Sequence, residues 1–364
     1  MIYYIYVFFG NDYMIKRCKL LYENITGGMT NVRHLFLFLA TAVGAAEPVT
    51  LRVGFFPNLT HAPALAARQL EREGQAWYAS RLPAGVQIEW RAYNAGPSAV
   101  EALFAGSIDV TFIGPSPLLT GYVRTRGEGL RLLAPIAQGG NALVVRKGLG
   151  LKTPADFRGR RIATPQLGNT QDIDARVWLK SGGLRIKTGP GGDASVLPMA
   201  NPELILLFAK GEVDAAWTVE PWVSRLTSEF GGEVLVERPD SYVTLLAASS
   251  KSLAQSSRRD AIVAFTRATL ALRDRLVAEP DLQVRLVRAG LAAETKSAPS
   301  DEAMIRNALG RIRLVAPVAD AATRRQNIAA ALEQSLRDSV DVGILPSTLP
   351  VDSLLENLVD DPVR

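Results

Sequence analysis

From Val49 onward the sequence alternates between two textures, and that alternation limits the folds open to it. Short apolar runs at 51–55, 86–93, 109–113 and 130–137 read as strands, and the stretches between them at 63–73, 97–105 and 117–126 have helical periodicity. Strands and helices in strict succession bury their apolar faces as a mostly parallel sheet with helices on both sides, because each parallel connection has to cross a face of the sheet. The chain is therefore expected to be α/β.

A second unit of the same kind follows. Residues 141–146 are strand-like. Thr153-Pro154-Ala155-Asp156 opens a short helix with Thr153 as N-cap, Pro154 at the first helical position and Asp156 placed for a capping box. Asn201-Pro202-Glu203 starts another helix by the same logic, 215–217 ends a strand, 221–230 is a helix with Trp222, Leu226 and Phe230 on one stripe, and 233–237 is a strand. Near-extended crossings at about 138–142 and 240–246 bracket this unit, the pattern of two lobes joined by a two-strand hinge. The expected division is 47–139 with 243–364 as one lobe and 140–242 as the other. Beyond Ser256 the chain reads as long amphipathic helix, periodic over 258–290 and 318–338.

The composition excludes several classes. With 364 residues, 48% hydrophobic and 21% charged, the chain is an ordinary globular mixture. The net charge of +5 is spread without a dense basic block, so it reads as solvated surface, with no nucleic-acid partner. The N-terminal region reads as an address. Met29 to His34 is a short basic start, 35–43 an apolar core too short to span a bilayer, and Gly44-Ala45-Ala46 a cleavage site, so residues 1–46 are an upstream extension plus signal peptide. Met29 and Met1 both remain candidate starts. Cys18 is the single cysteine and lies before the cleavage point, which removes disulfides, thiolate metal sites and a lipid anchor from the exported chain. A periplasmic protein is expected.

Four loops carry unusual residues where ligands gather in doubly wound sheets, beyond the carboxyl ends of strands. The first, after the first strand, holds Asn58, Thr60 and His61. His61 reads as a surface-loop histidine, as a helix N-cap partner or as a ligand contact. The second is Gly114-Pro115-Ser116-Pro117, where Ser116 either caps a helix or offers its hydroxyl, and Gln138-Gly139-Gly140-Asn141 near it is either hinge or exposed backbone. The third is ATPQLGNTQD, 163–172: an apolar run, a turn through Gly168, then a helix opened by Asn169 and Thr170. Its free N–H groups form an anion seat, and no Lys or Arg lies between Thr164 and Ala175. The fourth, Ala215 to Trp222, has Trp217 and Glu220 ahead of a helix-starting proline.

GPSP at 114–117, QGG at 138–140, ATPQLGNTQD at 163–172 and AAWTVEPW at 215–222, in this order, resemble the periplasmic substrate-binding proteins of ABC transporters for nitrate, taurine and aliphatic sulfonates, with the aliphatic-sulfonate branch nearest. The resemblance spans about residues 48–290. It implies a two-lobed periplasmic-binding-protein fold of type 2, a Venus flytrap whose lobes are mostly parallel sheets flanked by helices. It also implies that Ser116 and the Gly139-Gly140 backbone face the cleft from the first lobe. Gly168, Asn169 and Thr170 would hold sulfonate oxygens, and Trp217 and Glu220 would close the pocket. Asn58, Thr60 and His61 occupy a loop where the family also meets its ligand. The sequence departs from the family at Thr218-Val219, where Val-Pro is common, and at Asp172 and Asp174, two acids in the helix's first turn that bear on specificity.

The expected function is capture of an organosulfonate, an alkanesulfonate or taurine-like anion, for delivery to an inner-membrane ABC permease and its ATPase for sulfur uptake, by a monomer without cofactor or metal. Trp217 would cover the organic tail and Glu220 would meet the ammonium of taurine. Nitrate or bicarbonate is the alternative ligand. An enzyme is disfavoured: the sequence has no G-x-S-x-G, H-E-x-x-H or P-loop, and His34 lies in the signal segment, leaving His61 alone. A thiamine-pyrimidine synthase on the same fold would need lysine chemistry, and no Lys lies in the four loops.

Overall fold

The structure, a computed structural model, describes residues 49–189, 191–315 and 320–359. The signal segment and upstream extension expected over 1–46 lie outside the described residues. The chain enters through β1 (Val49–Phe55) and alternates as read: α1 (Ala62–Arg72), β2 (Val86–Ala92), α2 (Gly96–Phe104), β3 (Val110–Ile113), α3 (Pro115–Arg124) and β4 (Leu130–Gly139). Each of these helices carries a proline in its first two positions, where a missing N–H costs no helical bond. Next come β5 (Asn141–Val145), β6 (Arg161–Thr164), α4 (Thr170–Ser181), β7 (Ser195–Pro198), α5 (Asn201–Ala209), β8 (Ala215–Val219), α6 (Trp222–Phe230) and β9 (Glu233–Glu237). The turn before β6 is closed as its sequence dictates, Thr153 N–H donating to the Asp156 carboxylate at 2.7 Å. The chain continues through β10 (Tyr242–Ser249), α7 (Ser250–Leu253), α8 (Ser256–Ala278), α9 (Pro280–Thr295), α10 (Glu302–Gly310), β11 (Ile312–Leu314) and α11 (Ala321–Asp341).

The strands form two sheets, ordered β11-β4-β10-β3-β1-β2 and β7-β6-β8-β5-β9. Both are mixed: three of the five pairings in the first sheet and two of the four in the second are antiparallel. In the first, β1, β2, β3 and β4 run together while β10 and β11 oppose them; in the second, β5 alone opposes the rest. Of the three reversed strands, β5 and β10 are entered directly from the other sheet, because an extended crossing delivers the chain without a helix to turn it round, whereas β11 follows α10. Alternation along the strands feeds two cores per sheet. Phe112 and Leu246 face a core shared with α1 and α8, whereas Ile113 and Leu245 face one shared with α3 and α11. The second sheet is likewise covered on both faces, by α5 and α6 and by α4. Full burial of a Val, Leu or Phe side chain contributes about 1.5–3 kcal/mol, so each face is a substantial stabilising term.

The crossings lie side by side. Gly139 N–H donates to Ser241 O at 3.1 Å and Arg238 N–H to Asn141 O at 3.0 Å. Gly139 and Gly140 both have positive φ, +75° and +64°, and a Cβ on Gly139 would sit 2.5 Å from Arg311 O. Their glycines are required by the backbone path of the hinge.

The region beyond Ser256 differs from the uninterrupted helix expected. Pro280 forces Glu279 to φ −122° and ψ 74°, which ends α8 and restarts the chain as α9. The short β7 and β11 and helix α10 were not legible as elements. β11 gains its strand geometry only by pairing with β4, Ile312 opposite Gly139. No helix among the described residues is long and apolar enough to cross a membrane.

Candidate functional site

Loops following β1, β2, β3, β6 and β7 converge, with the end of β8, on a cavity between the two sheets. Convergence follows from topology, since parallel strands present all their carboxyl ends on one side. Phe56, Asn58, Thr60 and His61 form one wall, and Asn169, Thr170 and Gln171 form the opposite one. The enclosed volume is about 20 Å³, room for little more than one water molecule. The lobes are in contact around it: Trp222 Nε1–H donates to Asn58 Oδ1 at 2.9 Å, Leu59 N–H to Glu220 O at 3.0 Å, and Ser116 N–H to Thr170 Oγ1 at 3.4 Å. Gly114 makes the last approach possible, because a Cβ there would lie 2.6 Å from Thr170 Oγ1.

Among the described residues no charged side chain lines this cavity. The seat read from the sequence is the N-terminus of α4, with Asn169 as N-cap at φ −72° and ψ 161° and no side-chain cap bond. Thr170 and Gln171 occupy the first two helical positions, whose N–H groups have no carbonyl a turn earlier. His61 is 2% exposed. Its Nδ1 accepts Phe56 N–H at 3.2 Å, and its ring lies 4.5 Å from that of Phe56. Burial pushes its pKa down to about 3, so it is neutral with its proton on Nε2. His61 is thus a built part of the cavity wall and not a surface-loop histidine.

Other expected site residues lie elsewhere. Ser116 is neither cap nor cavity wall: the helix starts at Pro115, two residues earlier than read, with Gly114 as N-cap, and the hydroxyl meets Ser335 Oγ at 3.3 Å. Gly139 and Gly140 belong to the hinge, and Gly140 borders a separate opening of about 280 Å³ with Arg238 and Arg311. Gly168 shapes the turn before α4, its N–H donating to Asp172 Oδ2 at 3.0 Å. Trp217 is fully buried in the core of the second sheet, packed 6.1 Å from the Trp178 ring, with its Nε1–H on Asn141 Oδ1 at 2.9 Å. As a mid-strand residue of β8 its side chain points to the α4 face, away from the cavity. The Glu220 carboxylate is also committed: it accepts Ser224 N–H and hydroxyl, each at 3.0 Å, and pairs with Arg311 at 3.0 Å. Burial pushes its pKa up, against those three partners. The carboxylate is fully buried and outside the cavity lining, so it is not presented to a ligand's ammonium group.

The two acids of α4 part company. Asp172 is fully buried and clasps Arg176, with Nε–Oδ2 at 2.9 Å and Nη2–Oδ1 at 3.1 Å, while also holding Thr164 Oγ1 at 3.0 Å. Arg176, just beyond the Arg-free stretch, neutralises it. Asp174 accepts from Asn141 Nδ2 at 2.6 Å and borders a second opening of about 430 Å³ with Ser335, Arg238 and Asp338. That opening shares Thr170 with the cavity. Burial pushes the Asp174 pKa up to about 6, the Asn141 bond opposing it. Among the described residues there is no group of three or more His, Cys, Asp or Glu able to hold a metal.

Sequence reasoning missed Asn94, Gln171 and Asn201 in the cavity wall. Asn201 was readable as a helix start, but β7 before it was not readable as a strand, so its place beyond a strand end stayed hidden. Ala200 is the actual N-cap of α5, and Asn201 Oδ1 accepts the Thr218 hydroxyl at 2.8 Å.

Comparison with known proteins agrees with this architecture. Over 153 residues the chain is 29% identical to the taurine-binding periplasmic protein of Escherichia coli, covering 42% of this chain and 45% of that protein. Over 191 residues it is 25% identical to a putative aliphatic sulfonates-binding protein of Bacillus subtilis, covering 51% and 52%. The chain thus spans about half the length of the curated relatives it matches. In three dimensions it shares the fold of the alkanesulfonate-binding protein SsuA of Xanthomonas axonopodis pv. citri bound to MOPS, with a TM-score of 0.62 and 22% identity over 85% of this chain and 99% of that one. The fold is the two-lobed periplasmic-binding-protein fold, and the relatives are binding proteins. The model of the NMT1-like family matches residues 44–285, and the chain belongs to that family.

Proposed function

We propose that this protein is a periplasmic receptor for an organosulfonate, which it delivers to an ABC permease in the inner membrane for sulfur uptake. The observation that carries the reading is the charge-free cavity between the lobes, built against the N-terminus of α4. A sulfonate is a permanent anion. N–H groups and hydroxyls satisfy its oxygens without a fixed counter-charge, and several such bonds, each contributing about 0.5–1.5 kcal/mol, reach micromolar affinity. The sulfonate head meets the donors of this wall, with the lobes somewhat further apart than described above because a sulfonate is larger than one water, and the organic tail runs toward the larger opening beside Thr170, where Asp174 and Asp338 offer a place for the ammonium of taurine. That assignment replaces Trp217 and Glu220, whose side chains are occupied elsewhere.

In this reading residues 47–139 with 243–364 form one lobe and 140–242 the other. The protein acts as a monomer, opens about the paired crossings to admit ligand, and closes around it. The closed state is favoured only by the ligand's higher affinity for it. It performs no chemistry on its ligand and requires no cofactor. A second reading, a receptor for nitrate or bicarbonate, is favoured by the small enclosed volume of about 20 Å³.

A thermal-shift panel of alkanesulfonates, taurine, sulfate esters, nitrate and bicarbonate on the purified protein tests both. Stabilisation by an organosulfonate at a hundred times its Kd corresponds to about 2.7 kcal/mol. Stabilisation by nitrate or bicarbonate alone would transfer the assignment to the second reading.

A further inference from the structure

Arg238, on the second crossing, is half-buried, and among the described residues its guanidinium makes no hydrogen bond or ion pair, although its Nε is shut off from solvent. The acids nearest it in sequence are taken: Glu237 faces Arg311 at 3.4 Å and Asp240 faces Arg313 at 3.0 Å. The guanidinium lies 5.8 Å from the centroid of the Trp217 ring, and Trp217 packs toward α4, so the charge sits on the α4 side of the second sheet. That is the side of the opening of about 430 Å³, which Arg238 lines together with Thr170, Asp174, Tyr242, Ser335 and Asp338. The two acids there hold neutral donors only, Asp174 accepting from Asn141 Nδ2 at 2.6 Å and Asp338 from Gln334 Nε2 at 2.8 Å. Beyond the effects of burial and of Asn141, the pKa of Asp174 is lowered by Arg238 and raised by Asp338, which places the three charges close together.

We infer that the opening beside α11 recognises an α-ammonium carboxylate, its ammonium on Asp174 and Asp338 and its carboxylate on Arg238, so that the captured organosulfonate is a sulfonated α-amino acid. This deepens the sulfonate reading and rests on it. A guanidinium drawn partly out of water without a partner is costly, and a carboxylate meets its planar fork with two parallel N–H···O bonds. The Trp217 ring beside it favours the cation and limits its motion, so little freedom is lost when an anion arrives. Taurine answers only the two acids and leaves Arg238 unmatched. A plain alkanesulfonate answers none of the three. An α-amino acid end presents both signs of charge on one carbon, and its sulfonate reaches the first cavity past Thr170, the residue that both spaces share.

The test is calorimetric titration with ethanesulfonate, taurine and cysteate, which is taurine with a carboxylate added on the ammonium carbon, at about pH 7, where both charges of an α-amino acid are present. Cysteate is expected to bind about tenfold to hundredfold more tightly than taurine. Arg238→Met keeps the apolar stem and removes the charge. It is expected to abolish that advantage while leaving the affinities for taurine and ethanesulfonate within about threefold, which a general loosening of the hinge would not do. Cysteate binding no more tightly than taurine to the unaltered protein, or an advantage that survives Arg238→Met, would overturn the subsite while leaving sulfonate capture intact. An equal fall in all three affinities in the variant would also overturn it, placing Arg238 under the sulfonate head or in the support of the hinge. Failure of every organosulfonate to bind the unaltered protein would overturn the sulfonate reading itself, and the inference with it.

Discussion

Asp172 is the residue whose replacement separates the stability of the anion seat from its shape. Its carboxylate accepts four hydrogen bonds, two from Arg176 at 2.9 and 3.1 Å, one from Thr164 Oγ1 at 3.0 Å and one from Gly168 N–H at 3.0 Å. Both members of the ion pair are essentially inaccessible, with side-chain exposures of 0% and 1%. In Asp172→Ala, Arg176 keeps one neutral partner, the Lys187 carbonyl at 3.0 Å, and its charge is stranded. Removing one member of a buried pair costs about 3–5 kcal/mol. At the roughly 2 °C per kcal/mol expected of a large domain, the melting midpoint falls by about 6–10 °C. Removing the stranded charge as well, in Asp172→Ala with Arg176→Met, is expected to recover most of that loss, because a well-packed apolar replacement is close to neutral. Affinity should behave differently. Single and double variants both lose the brace on residues 164–168, so both are expected to bind the sulfonate at least about tenfold more weakly. Thermal melting followed by circular dichroism and calorimetric titration read the two effects. A single variant that loses less than about 1 kcal/mol, or a double variant whose loss equals the sum of both singles, would refute the argument.

Three further perturbations have defined outcomes. Gly114→Ala places a methyl 2.6 Å from Thr170 Oγ1 at a backbone φ of −75°, which any residue adopts, so it is expected to leave folding stability within about 0.5 kcal/mol while weakening ligand binding about tenfold by holding the lobes apart; unchanged affinity in the titration would count against contact across the cavity in the bound state. Asp174→Asn tests a pH linkage: the folded-state pKa is raised to about 6 from the ordinary 3.8, so the carboxyl's penalty is absent below about pH 4, grows as pH rises and is complete above about pH 6. Urea unfolding is expected to show the variant equal to the parent at about pH 4 and more stable by up to about 3 kcal/mol at about pH 8, and a constant difference across that range would contradict the linkage. Glu220→Gln is expected to lower stability through the weakened Arg311 pair without altering the ratio of taurine to alkanesulfonate affinities, and a change in that ratio would return Glu220 to the ligand.

What the sequence determined by itself was the order of elements and the sites of their starts. The strand–helix rhythm, the prolines at Pro63, Pro97 and Pro202, and the Thr153–Asp156 box are local signals that act within one turn of chain, and the structure keeps them, whereas the third helix starts at Pro115 and not at the Pro117 read for it. The paired crossings were legible too, since near-extended runs flanking a complete α/β unit leave few other topologies. Of the candidate site, Asn58, Thr60, His61, Asn169 and Thr170 reached the cavity because they lie beyond strand ends that periodicity had already marked. Short strands such as β7 and β11 have too few residues to show a period, and they exist only because a neighbouring strand supplies their hydrogen bonds. Side-chain destination was the part that tertiary structure alone decided. Trp217 and Glu220 stand in a motif as marked as the GNTQD turn, yet one fills a core and the other pairs with Arg311, which lies far along the chain. Whether His61 would be a charged surface group or a neutral donor depended on Phe56 and on burial, neither of which spacing reveals. A sequence fixes which groups are available, but the direction in which an amide or imidazole offers its hydrogen is set by the partner that three-dimensional packing brings to its other side.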